Sequence, residues 1–65
     1  MTLVEVMIEQ WKNLDGSVDF LWSIWQAGSR IHMGGRHDTG EAAERAARDY
    51  CQERFNAPPA EVMHL

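Results

Sequence analysis

The stretch Val18-Asp19-Phe20-Leu21-Trp22-Ser23-Ile24-Trp25-Gln26-Ala27-Gly28-Ser29-Arg30-Ile31-His32-Met33-Gly34-Gly35 decides the fold. It is rich in aromatic and β-branched residues, is broken once by the small pair Ala27-Gly28, and stops at two glycines. That pattern predicts two strands, over about residues 18 to 26 and 30 to 33, joined by a tight connection. Working upstream, residues 2 to 12 alternate, with Val4, Val6 and Ile8 on one parity and Glu5, Met7, Glu9 and Trp11 on the other. This is the period of a half-buried strand. Leu14-Asp15-Gly16 then supplies a three-residue hairpin loop, so the first half of the chain reads as an antiparallel meander.

At Asp38 the period changes. Asp38 or Thr39 is a candidate N-cap, with Glu41 as capping-box partner to Asp38, and residues 42 to 55 hold few β-branched side chains. Ala43, Ala46, Ala47, Tyr50, Cys51 and Phe55 form an apolar stripe whose alanines allow close approach to a sheet. Asn56 suits a left-handed C-terminal position, and Pro58-Pro59 blocks continuation. Residues 61 to 65 follow either as a short fourth strand or as a cover for a sheet edge. The expected class is α+β, a three-stranded antiparallel meander packed on one α-helix, βββα or βββαβ, with residues 1 to 65 as a single domain.

Register sorts the side chains into two faces. Pairing Asn13 with Ser17 sets Ile8 opposite Trp22, Val6 opposite Ile24 and Val4 opposite Gln26. Pairing Gln26 with Ser29 sets Ile24 opposite Ile31 and Trp22 opposite Met33. The face toward the helix then holds Val4, Val6, Ile8, Phe20, Trp22, Ile24, Ile31 and Met33. The other holds Glu5, Met7, Glu9, Trp11, Asp19, Leu21, Ser23, Trp25, Arg30 and His32. A one-residue slip in the first hairpin would bury Glu5 and Glu9, at a cost of several kcal/mol each, on the order of the penalty for unpaired buried charges.

The segment from Trp22 to Tyr50 resembles the plant ethylene-response-factor DNA-binding domain and the arm-binding domains of tyrosine integrases. The matching residues are Trp22, Ile24, Gly28-Ser29-Arg30-Ile31-His32-Met33-Gly34, Asp38-Thr39-Gly40-Glu41-Ala42-Ala43, Ala46-Ala47 and Tyr50, nearly half the chain. The resemblance implies a three-stranded sheet on an alanine-rich helix, with the helix-free face entering the DNA major groove through Trp25, Arg30 and His32. Here Glu5, Glu9 and Asp19 share that face, and carboxylates repel a phosphate backbone.

Charge points the same way. The chain has 65 residues, with ten acids against six Lys and Arg, for a net charge of -4, where nucleic-acid binders carry a basic surplus. Residues 1 to 29 contain four acids and Lys12, for -3, while residues 30 to 65 contain six acids and five Arg, for -1. So short a chain buries only about 60% of its unfolded surface, which leaves little room for a deep catalytic pocket. Cys51 stands alone, so no internal disulfide is expected, which suits a reducing cytoplasm. No segment has the length of a membrane span. His32, His37, His64 and Cys51 lack zinc spacing, so neither a metal, a cofactor nor a catalytic constellation is expected.

The expectation is therefore a small acidic, non-enzymatic interaction protein acting as monomer or weak dimer. Its partner-binding residues are Glu5, Glu9, Trp11, Asp19, Trp25 and Arg30, since exposed Trp beside charged rim groups is the composition of an interface anchor. The helix acids Glu41, Glu44, Asp49 and Glu53 are the competing surface, although Glu41 with Arg45 and Glu44 with Arg48 are spaced to pair at i,i+4. In size, charge and architecture the chain resembles phage-encoded inhibitors, including anti-CRISPR proteins. That likeness implies a basic nucleic-acid-handling partner, such as a CRISPR effector subunit, met in the host-cell cytoplasm. A sequence-specific DNA-binding module using Trp25, Arg30, His32 and Arg36 is the second expectation.

Overall fold

The computed structural model describes residues 3 to 65. Elements run β1 (Glu5–Lys12), β2 (Val18–Gln26), β3 (Ser29–His37), α1 (Gly40–Phe55) and β4 (Glu61–His64). They form one four-stranded sheet in the order β3-β2-β1-β4 with the helix on one face. The architecture is α+β, βββαβ. Thr2, expected in the first strand, lies outside the described residues.

The first hairpin has the expected register, with Ile8 opposite Trp22 and Val6 opposite Ile24. Its loop explains why. The Asn13 N–H donates to the Ser17 carbonyl at 2.8 Å, and Gly16 takes the left-handed φ of 92° that closes the three-residue turn. The Asp15 carboxylate accepts from the Ser17 N–H at 2.9 Å and from its hydroxyl at 2.6 Å. These two hydrogen bonds hold the Asp15 carboxyl below its ordinary value.

The second hairpin departs from expectation. Ala27 and Gly28 both have positive φ, 52° and 80°, the backbone of a type I′ turn, and Gln26 pairs with Ser29 and Trp25 with Arg30. The register then shifts twice, because β3 carries an extra residue between Ile24 and Trp25 and another between Leu21 and Ser23. Each β-bulge moves the following side chains by one, which exchanges their faces. His32 therefore pairs with Ile24, and Met33 pairs with Ser23. The expected pairs Ile24 with Ile31 and Trp22 with Met33 are corrected accordingly: Ile31 is 46% exposed in the bulge, and Met33 is 39% exposed on the helix-free face.

The core is the helix-side parity of β1 and β2 against the small residues of α1. Val4, Val6, Ile8, Trp22 and Ile24 bury against Ala43, Ala47 and Cys51, with Ala46, Tyr50 and Phe55 packed at the margin. Burial also pushes the Cys51 thiol up, as a small apolar core residue should behave. His32 stacks on Tyr50 with ring centroids 4.2 Å apart at 13°, and both rings lie 5.5 Å from Trp22. A Cβ at Gly34 would collide with the Trp22 indole. The second bulge thus brings bare backbone onto the largest core side chain, a packing that no other residue permits.

Thr39 is the N-cap, its hydroxyl accepting from the Ala42 N–H at 3.1 Å. With Thr39 in that role Glu41 occupies the second helical position, so the expected capping box does not close and Glu41 serves only as a first-turn acid. Asn56 ends the helix with φ 55°. The chain then crosses to the far edge of the sheet, where β4 pairs parallel to β1, Val6 with Val62 and Met7 with Met63. The fourth-strand alternative is the one observed.

Candidate functional site

One helix covers one face of the sheet, and the Cα envelope is only 15 Å in its smallest dimension. Among the described residues no second layer lies over the other face. Alternation along the paired strands places Glu5, Glu9 and Trp11 of β1, Asp19 and Trp25 of β2, and Arg30 of β3 on it. All six expected partner-binding residues thus share this open face. His32, expected beside them for DNA contact, lies on the helix side stacked on Tyr50.

The register also brings to this face two side chains that sequence reasoning did not assign to it, Met33 and Met63. With Met7 and Ser23 they form a row across all four strands. Ser23 is fully buried as the floor of that row, and the Trp25 indole donates to its hydroxyl at 2.8 Å. This hydrogen bond satisfies the buried hydroxyl of Ser23 and holds the half-buried Trp25 indole to it. Arg30 directs Nη1 to the Met33 sulfur at 3.9 Å. Leu21 and Trp11 continue the apolar surface, with Trp11 53% exposed. Beside them a recess of about 220 Å³ is lined by Trp11, Asn13, Asp19, Leu21, Met33 and Arg36.

Charges segregate across the face. Glu61 pairs with Glu5 and Glu9 lies farther along β1, so the β4–β1 side is acidic. Arg30 and Arg36 both lie on β3. Asp19 of β2 neutralises part of this basic strip through a 3.6 Å contact with Arg36, whose side chain nonetheless stays 75% exposed. The first bulge, at Ile31, is what turns Met33 outward; the second restores the parity, so Arg36 lies outward as unbroken alternation would also place it, and Gly34-Gly35 was the sequence signal for that second bulge alone. Glu61 and Met63 had no such signal, because no turn fixes the register of a parallel strand reached through a helix.

The helix acids are differently placed. Glu44 accepts from Arg48 at 2.9 Å and meets His64 of β4 at 2.8 Å. The His64 hydrogen bond, then that of Arg48, holds the Glu44 carboxyl below its ordinary value. Glu44 therefore ties β4 to the helix. Glu41 and Arg45 do not close to ion-pair distance among the described residues.

Comparison with protein-family models, with curated proteins and with solved structures finds no match. Among the described residues, no helix is long and apolar enough to cross a membrane.

Proposed function

We propose that this chain is a non-enzymatic interaction protein that docks through its open sheet face onto a basic nucleic-acid-binding site of a partner protein and occludes it. The observation that carries this reading is the composition of the helix-free face, where Met7, Leu21, Trp11 and Trp25 lie beside the acids Glu5, Glu9 and Glu61. An apolar, Trp-bearing centre desolvates on contact and supplies affinity, while the acidic strip steers a positively charged partner and selects its orientation. Methionine suits such a surface because its flexible thioether adapts to the shape it meets. The recess beside Trp11 accepts a protruding partner side chain.

Binding to DNA itself fits less well. His32 is turned toward the helix, and the arginines that remain share their face with more carboxylates than they can neutralise. The experiment combines two measurements. Fluorescence anisotropy with random duplex DNA at low salt is expected to show no binding. Affinity capture from the native host lysate is expected to retain a basic protein that free duplex DNA displaces and that Glu5→Lys with Glu9→Lys fails to hold. Tight, salt-sensitive DNA binding would overturn the reading. So would full retention of that protein by the double variant.

A further inference from the structure

The open face is not uniformly acidic, and its charge segregation has a geometric consequence. Acids lie toward β4 and β1, arginines lie on β3, and the methionine row runs between them across the sheet. A two-fold axis parallel to the strands, set between two such faces, exchanges the left and right of the sheet while preserving position along the strands. It therefore places the arginine strip of each copy over the acid strip of the other and methionine row on methionine row. An axis across the strands would instead stack acids on acids. We infer that a second copy of this chain covers the open face, in a symmetric face-to-face pair whose two-fold runs along the strands.

In that arrangement Arg30 of one copy lies over Glu61 and Glu5 of the other, and Arg36 lies beside Glu9. Arg36 is free to serve because its contact with Asp19 leaves it largely in water. The faces pack about 10 Å apart with strands within about 30° of each other, as aligned sheets do. Strand spacing and length give a plan area of about 400 to 500 Å² per copy, hence about 800 to 1,000 Å² in the pair, in the range of weak interfaces. The dimer is accordingly weak, with dissociation on the order of 10 µM. A basic partner that uses the same face competes with the second copy, so dilution favours docking and concentration favours storage as a pair.

Sedimentation velocity from about 1 to about 300 µM brackets the dissociation expected for such an interface. Wild type is expected to pass reversibly from monomer to dimer. Arg30→Glu with Arg36→Glu makes both strips acidic, and Glu5→Arg with Glu9→Arg makes the acid strip mainly basic. Each double variant alone should dimerise at least about tenfold more weakly, and an equimolar mixture of the two should recover association, because opposite strips then meet throughout. Far-UV circular dichroism verifies that both variants are folded. Raising salt from about 0.05 to about 0.5 M should weaken the wild-type dimer several-fold, since the Debye length falls below the spacing of the strips. A wild type that stays monomeric over the range, a dimer indifferent to both double variants, or a mixture that recovers nothing would each overturn the inference. Self-association and partner docking fail separately. A dimer that captures no DNA-displaceable protein leaves the pair standing, and a monomer that captures one leaves the inhibitor reading standing.

Discussion

Alternate residues of β1 and β2 build two faces with opposite physical duties. On the helix side Ile24, Val6 and Ile8 are at most 1% exposed, locked between alanines and an aromatic cluster. On the other side Trp11 and Met33 stand open, and only Ser23 is fully buried. The covered face holds the stability of a fold too small to have any in reserve. The open face contributes less to it, because water already reaches Trp11 and Met33. This difference can be measured residue by residue.

The largest contrast comes from matched truncations. Ile24→Ala removes a side chain with no exposure and leaves a cavity against Ala43 and Ala47, which should cost about 3 to 4 kcal/mol. Met33→Ala on the open face should cost less than about 1 kcal/mol, because water already reaches its side chain. Urea denaturation of dilute monomer gives both values. Equal losses would mean that the open face is structural, and the distinction between the two would collapse.

Gly34→Ala attacks the covered face from β3. The added methyl would occupy the volume of the Trp22 indole, which His32 and Tyr50 hold in place. We expect a loss of about 2 to 3 kcal/mol and a changed near-UV circular dichroism signal from Trp22. Gly35→Ala, whose Cβ meets nothing within 4 Å, is the matched control and should be nearly silent.

That pair of glycines also shows where the sequence was legible. The first hairpin could be read because its alternation is unbroken and Gly16 sets the loop length, and it correctly placed Glu5, Glu9, Trp11, Asp19 and Trp25 on one face. The second hairpin could be read only as far as Arg30. Beyond it, hydrophobicity argued that Ile31 belongs inside and His32 outside, whereas aromatic stacking on Tyr50 and the first bulge reverse both assignments. Periodicity carries no information about an inserted residue; the strand-interior glycines mark the second bulge, whereas the first, at Ile31, has no local signal. The acid strip was only half visible because Glu61 joins it through a parallel pairing that no local pattern specifies.

A smaller effect should come from the turn that sets the register of both faces at once. Ala27 has φ 52°, where its Cβ is crowded by the following carbonyl. Ala27→Gly relieves that strain but adds freedom to the unfolded chain, for a net gain of about 0.5 kcal/mol. Because the substitution touches neither face, dimer dissociation should be unchanged. A gain in stability accompanied by altered association would mean that the turn reshapes the open face.

The smallest expected effect concerns the edge at which the two faces meet. Glu44 on α1 joins His64 on β4, and β4 supplies Glu61 and Met63 to the open face. The Glu44 carboxyl is held below its ordinary value, first by His64 and then by Arg48, so the folded state binds its proton less readily than the unfolded chain does. The resulting stabilisation is complete above the unfolded pKa of a glutamate, about 4.3, and is lost as pH falls through the lower folded value. Solvent screening at this surface position keeps the contribution small. Glu44→Gln should therefore lower stability at pH 6, and its difference from wild type should shrink steadily on acidification below about pH 4.3. His64→Ala should return the Glu44 titration, followed by carboxyl carbon chemical shift, part of the way to the ordinary range, with Arg48 holding the remainder. A titration unmoved by His64→Ala would mean that β4 is not tied to the helix through this contact. Hydrogen exchange of the β4 amides in the same variant would then be as slow as in wild type, and the acid strip would owe its position to pairing with β1 alone.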